Sequence, residues 1–297
     1  MLYNVLHVVN RDNYPIFMPT VSTIIKKYNE YIQEHLVVTD GGTSTYIDSL
    51  SNDEIAQLAL KDYLTTFNLL KHANQQRPGQ VTSVASAINS FGGRSIINGE
   101  HKLNYFSNGF VTFSYRKKSL FKAIATTKLL SQLKTSQATS PEVAFLSGLL
   151  SSIGNMPILS FNPKYHYSEH LSDDTYPWII QEKLTGFNQF DYSYELLDFW
   201  KIPKEICLPI KYFMKYDEIQ TNPYLEPLFM ANLLSLPFVY PEYFRISKIL
   251  DHEVFFRSEL PKDWFLDLYK QTINATSSKL FDEIPPNKQT FPVNKYV

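Results

Sequence analysis

The sequence predicts an all-α protein, a bundle of packed helices with no central sheet. Three observations carry this. Apolar residues recur at spacings of three and four through most of the chain. Helix-capping residues stand at the head of those runs. Alternating strand patterns are scarce. Hydrophobic residues form 44% of the 297 positions and charged residues 19%, enough apolar surface for a large core and too little charge for disorder.

The elements follow in chain order. Residues 39–50, TDGGTSTYIDSL, are small and polar and read as a loop. Ser51-Asn-Asp-Glu54 is a capping box, in which Ser51 accepts from the amide of Glu54 and Glu54 reaches back; Ile55, Leu58 and Ala59 follow on one face. Asp62 caps a second helix, with Leu64, Phe67 and Leu70 as its apolar row. Ser83 caps a third, where Val84, Ala87, Ile88 and Phe91 share a face and Gly92 supplies the stop. Leu120, Ala123, Ile124 and Thr127 repeat that spacing. Ser140-Pro141 starts another helix, with proline where its missing N–H costs nothing and Val143, Leu146, Leu150 and Ile153 on the buried side. Pro203 opens one more, carrying Ile206, Ile210 and Phe213. The stretch 284–297, IPPNKQTFPVNKYV, is a proline-containing tail.

Composition excludes several classes of function. The net charge of −1 offers no general electrostatic hold on nucleic acid or an anionic membrane. The one cysteine, Cys207, forms no internal disulfide and no cysteine-rich metal site, and fits a reducing cytoplasm. The N-terminus lacks the basic flank of a signal peptide, and no run approaches a membrane-spanning length. The sequon Asn274-Ala275-Thr276 is read as chance. A cytoplasmic protein without cofactor is expected.

Four segments, in order over roughly residues 14–240, resemble the HDOD domain family. SNDEIAQLALKDYLTTFNLLKHANQ (51–75) is similar to the family's first signature through Asp62, Leu69, Leu70 and Asn74. QVTSVASAINSFGGRSIIN (80–98) is similar to its next segment. SPEVAFLSGLLSSIGNMPIL (140–159) resembles its most recognisable helix. GFNQFDYSYELLDFWKIPKEICLPIKYF (186–213) carries its late Trp-x-x-Pro pattern through Trp200 and Pro203. The resemblance implies an HDOD-like helical domain over residues 1–220, N-terminal extension included, with 221–297 as a C-terminal helical appendage and tail packed on it. It implies structural roles for Asp62, Asn74, Trp200 and Pro203.

HDOD domains are related to HD phosphohydrolases, which hold divalent metals with His and Asp. The resemblance places those positions, and this chain departs at each. Lys118 stands at the first His, Ser151 and Ser152 at the His-Asp pair, Gln189 at a later His, and Phe213 and Met214 at the final His pair. A charged Lys cannot ligate, Ser and Gln are weak neutral ligands, and Phe has no donor atom. No catalytic residue, no metal and no enzymatic activity are therefore expected. The six positions instead mark a candidate ligand pocket. In these 297 residues no receiver, kinase or cyclase segment is recognised, which suggests an adaptor acting in trans. The expectation is a non-catalytic regulatory module of bacterial signal transduction that works through protein partners. The alternative is a sensor of an anionic small molecule or nucleotide, with Lys118 as the attracting charge.

Other signals are weaker. His166 and His170 are four apart beside Glu169 but sit in a polar, proline-flanked run, and read as surface. His72 reads as a core-edge histidine bonded to backbone. Cys207 reads as core rather than reactive thiol. FGGRSIING lacks the spacing of a phosphate loop. Arg116, Lys117, Lys118 and Lys122, with Phe113, Tyr115 and Phe121 around them, read as the solvated face of a helix rather than a nucleic-acid surface. Aromatics at 15% are mostly core, with exposed anchors expected in Pro177–Ile180 and in residues 236–246.

Overall fold

The computed structural model describes residue 20 and residues 22–26, 51–91, 110–133, 140–161, 175–217 and 222–277. The loop of residues 39–50, Gly92, Gly93, His166, His170 and the tail lie outside what is described, as do the side chains of Leu58, Phe91 and Phe113.

Helices α1 (Asn52–Ala59), α2 (Tyr63–Gln76) and α3 (Val84–Phe91) begin at the capping residues read from the sequence. The Glu54 carboxylate accepts from the Ser51 amide at 2.8 Å while the Glu54 amide donates to Ser51 Oγ at 3.3 Å. Asp62 accepts from the Thr65 amide at 3.0 Å, and Ser83 from the Ser86 amide at 2.9 Å. Each cap satisfies an amide that has no partner inside its own helix. Asn74, fully buried, donates to the carbonyls of Leu70 and Val81 and accepts from the Val81 amide, so it clips the segment after α2 onto that helix.

The centre is α4 (Phe110–Gln132), the longest described helix. Helix α5 (Pro141–Leu150) packs along it, capped by Ser140 and started by Pro141. The closeness of that pair rests on a small residue: a Cβ on Gly148 would lie 2.7 Å from Ala123 Cα and 2.8 Å from the Lys122 carbonyl oxygen. Next come α6 (Asn155–Phe161), α7 (Pro177–Thr185) and α8 (Gln189–Phe199). Gly186, at φ 80°, ends α7 in the left-handed region that glycine enters without strain. Asn188 and Asp191 form a reciprocal capping box at the head of α8. Helix α9 (Lys204–Lys211) starts after Pro203, and a 3₁₀ turn, Phe213–Lys215, follows.

Helices α10 (Leu225–Val239), α11 (Ile246–Ile249), α12 (Glu253–Arg257) and α13 (Lys262–Ser277) complete the bundle, and α10 and α13 pack directly on α4. The core runs from Ile55 and Phe67 through Phe121 and Leu146 to Phe265. Among the described residues there is no sheet, and no helix is long and apolar enough to cross a membrane.

Candidate functional site

Because α5, α10 and α13 all pack on α4, its basic side is not solvated. Lys118 and Lys122 are 1% and 0% exposed, and Arg116 is 9% exposed. The surface reading of this cluster is therefore corrected. Arg116 instead pairs with Asp62 at 3.1 Å, joining α4 to the head of α2. The sequence masks this burial, since a helix surrounded by partners loses the one-sided apolar stripe that normally marks its buried face.

Lys118 and Lys122 are one turn apart, on one face of α4. The Lys122 Nζ donates to Ser151 Oγ at 2.6 Å, while that hydroxyl donates to the Gly148 carbonyl at 2.8 Å. The Lys122 Nζ also lies 5.9 Å from the Phe190 ring centroid, and the Lys118 Nζ lies 5.4 Å from that of Tyr240. Among the described residues no carboxylate forms an ion pair with either lysine. Burial pushes Lys118 down from the ordinary lysine value to about 8. Burial, reinforced by the charge of Lys118, pushes Lys122 well below it.

Ser151 and Ser152 follow the last turn of α5, both fully buried. The head of α8 is held against them. Ser193 Oγ accepts from the Gly154 amide at 2.9 Å and lies 3.0 Å from the Ser151 carbonyl and 2.7 Å from that of Gln189. A Cβ on Gly154 would stand 2.1 Å from the Gln189 carbonyl, so glycine is required for this approach. The Gln189 amide donates to Gln181 Oε1 at 2.8 Å. Two buried atoms at this junction have no hydrogen-bond partner, Ser152 Oγ and Gln189 Nε2.

Through Ser193 the structure brings the Ser151 and Gln189 backbones to one junction, to which Lys122 bonds; Ser152, fully buried, follows Ser151 directly. Lys118 lies one turn away on the same helix. Phe213 borders the junction as a core ring, stacked on Phe190 with centroids 3.6 Å apart and edge-on to Trp178 at 5.4 Å. Met214 does not belong with them: it is 39% exposed, because successive residues of a 3₁₀ turn face different ways. Trp200 lies apart, under the Lys71 ammonium at 3.7 Å, and Pro203 precedes α9. Trp178 and Ile180 are buried, so Pro177–Ile180 offers no exposed anchor; between residues 236 and 246 the aromatics are half-buried or buried. Cys207 is core, its thiol pushed up to about 12 by burial.

Lys122 is the residue that sequence reasoning missed. The signal was available, since a residue four beyond a vacated ligand position shares its helix face.

A family model for the HDOD domain matches residues 43–216, more than half of the chain. The chain belongs to the HDOD domain family. The match is narrower at both ends than the resemblance read from the motifs. No curated protein matches the chain. Among solved structures, the chain is similar to the MmoQ response regulator of Methylococcus capsulatus str. Bath, at 18% identity over 84% of this chain and 96% of that one, with TM-score 0.53. It is also similar to a virulence factor from Campylobacter jejuni subsp. jejuni, at 15% identity over 86% of this chain and all of that one, with TM-score 0.55. At these identities the likeness shows the shared HDOD fold.

The metals of the related HD phosphohydrolases do not fit the residues this HDOD chain carries. A divalent cation needs imidazole and carboxylate donors. The junction offers two amines, two hydroxyls and a carboxamide, and the orphaned Gln189 Nε2 presents hydrogens rather than a lone pair. Among the described residues no three His, Cys, Asp or Glu side chains gather to hold an ion.

Proposed function

We propose that this HDOD protein is a non-catalytic regulatory module of signal transduction that acts through protein partners. The observation that carries the reading is the burial of Lys118, where the family resemblance puts a metal-ligating His, with Lys122 buried one turn along the same helix. A site that concentrates ammonium groups repels the divalent cation on which hydrolysis depends. Family membership, and a fold shared with a protein named as a response regulator, support a place in signalling. The exposed Phe199 and Phe256 are of the residue type that anchors protein interfaces.

The test is turnover. The purified chain, with Mn²⁺, Mg²⁺ or Fe²⁺, is expected to leave phosphomonoesters, phosphodiesters and cyclic dinucleotides intact. Metal-dependent hydrolysis that survives repurification and disappears in a Lys118 variant overturns the proposal. A second reading, a sensor of an anionic small molecule, is favoured by one specific observation, the donors without acceptors at the same junction.

A further inference from the structure

The junction between α4, α5 and α8 is rich in hydrogen-bond donors and short of acceptors. Lys118 and Lys122 bring ammonium hydrogens, Ser152 a hydroxyl, and Gln189 a carboxamide NH₂. Of these, Lys122 has Ser151 Oγ as its acceptor, while Ser152 Oγ and Gln189 Nε2 have no partner although both atoms are buried. Orphaned polar atoms are uncommon in folded proteins, and two at one junction beside two buried cations call for a physical reason. The lysines repel each other and have no carboxylate to neutralise them among the described residues. One kind of group answers every deficit at once, a small anion with several acceptor oxygens.

We propose that Lys118, Lys122, Ser152 and Gln189 bind a phosphoryl oxyanion, as free phosphate or as the phosphate of a small ligand. The inference rests on the non-catalytic reading of the same site and gives it a ligand. Tetrahedral oxyanions accept from several directions, which suits donors arriving from three helices rather than one plane. Ser151 keeps the Lys122 Nζ beside the end of α5. Gly154 allows the head of α8 close enough to present Gln189. The residues are at most 1% exposed, so the bound group is enclosed and its attraction little screened by salt. The lowered affinity of both lysines for protons supports this: their ammonium forms await a counter-charge.

The test uses the full chain with chelator present, so that no metal contributes. Thermal unfolding and calorimetry are run with inorganic phosphate, with sulfate, with AMP, and with chloride at matched ionic strength. Phosphate at ten times its Kd is expected to raise Tm by about 3 °C or more, and chloride is not. Phosphate without AMP identifies a free oxyanion as the ligand, and an AMP response at least as large identifies a nucleotide phosphate. Lys118→Met and Lys122→Met are expected to lose the response. Gln189→Glu, which builds a carboxylate into the cluster, is expected to fold, to melt higher than wild type without ligand, and to ignore phosphate. No phosphate-specific response, or one that persists in Lys118→Met and Gln189→Glu, overturns the proposal. Metal-dependent turnover would overturn the non-catalytic reading by a separate measurement.

Discussion

Lys122 of α4 and Ser151 at the end of α5 meet across 2.6 Å in the protein interior, and Gly148 is what permits it. A methyl group there would stand 2.7 Å from Ala123 Cα and 2.9 Å from the Ala123 amide nitrogen, both backbone atoms that cannot swing aside. Gly148→Ala must push α5 off α4. The expected loss is about 1–3 kcal/mol, the usual range for overpacking. Urea unfolding measures it, and a midpoint equal to wild type would contradict the close approach.

How much of this could be read beforehand differs from residue to residue. Ser51, Asp62, Ser83 and Ser140 announce their helices because capping is local chemistry, settled within four residues. The burial of Lys118 and Lys122 is not local. It depends on α5, α10 and α13 converging on α4 from distant parts of the chain. Phe213 and Met214 make the same point: adjacent in sequence, one is core and the other 39% exposed. The family resemblance paired the two positions but could not tell which of the two side chains faces inward.

Buried charge without a partner is destabilising, so its removal should stabilise. Methionine approximates the length and volume of lysine without the ammonium. Lys118→Met is expected to raise unfolding free energy at pH 7 by roughly 1–3 kcal/mol in phosphate-free buffer, since each unit of pKa depression represents about 1.4 kcal/mol. Chemical denaturation checks the sign. A loss of stability would show that the Lys118 ammonium is satisfied in the free protein.

The same residue sets a pH dependence. Lys118 releases its proton near 8 in the folded protein and near 10.5 when unfolded. Below 8 both states hold the proton, and the penalty is constant. Between those values the unfolded state binds more protons, so stability rises with pH. Lys122, the charge facing Lys118, is also lowered, by burial and by that neighbouring charge. The gap between Lys118→Met and wild type should therefore narrow from pH 8 to pH 10, a comparison that cancels groups common to both chains, such as Cys207. A gap independent of pH would sink the assignment.

Asp62 performs two tasks, accepting from the Thr65 amide and pairing with Arg116 of α4. Two substitutions separate them. Asn at an N-cap retains most of the capping energy but abolishes the charge, whereas Ala removes both. Asp62→Ala should cost more than Asp62→Asn, by about the 0.5–2 kcal/mol of a lost cap. Equal melting temperatures in the two variants would deny the cap its part.

Asn74 offers the sharpest discrimination, because donor and acceptor are both fixed. Its Nδ2 donates to the carbonyls of Leu70 and Val81 at 3.0 Å each, and its Oδ1 accepts from the Val81 amide at 3.1 Å. Asn74→Ala leaves that amide and the Val81 carbonyl buried without this partner, at about 1–3 kcal/mol. Asp is nearly isosteric with Asn and keeps the acceptor, so a reading based on shape alone predicts a milder effect than Ala. Electrostatics predicts the reverse. A carboxylate would turn an oxygen toward two carbonyl oxygens in a fully buried position and would carry an unpaired charge there. Protonation would relieve this only by raising its pKa, which makes the variant's stability fall as pH rises through neutrality. Asn74→Asp should thus be less stable than Asn74→Ala at pH 7 and recover toward pH 5. Urea titrations at the two pH values decide it, and an Asp variant more stable than Ala at pH 7 would mean that the side chain is not held as a donor.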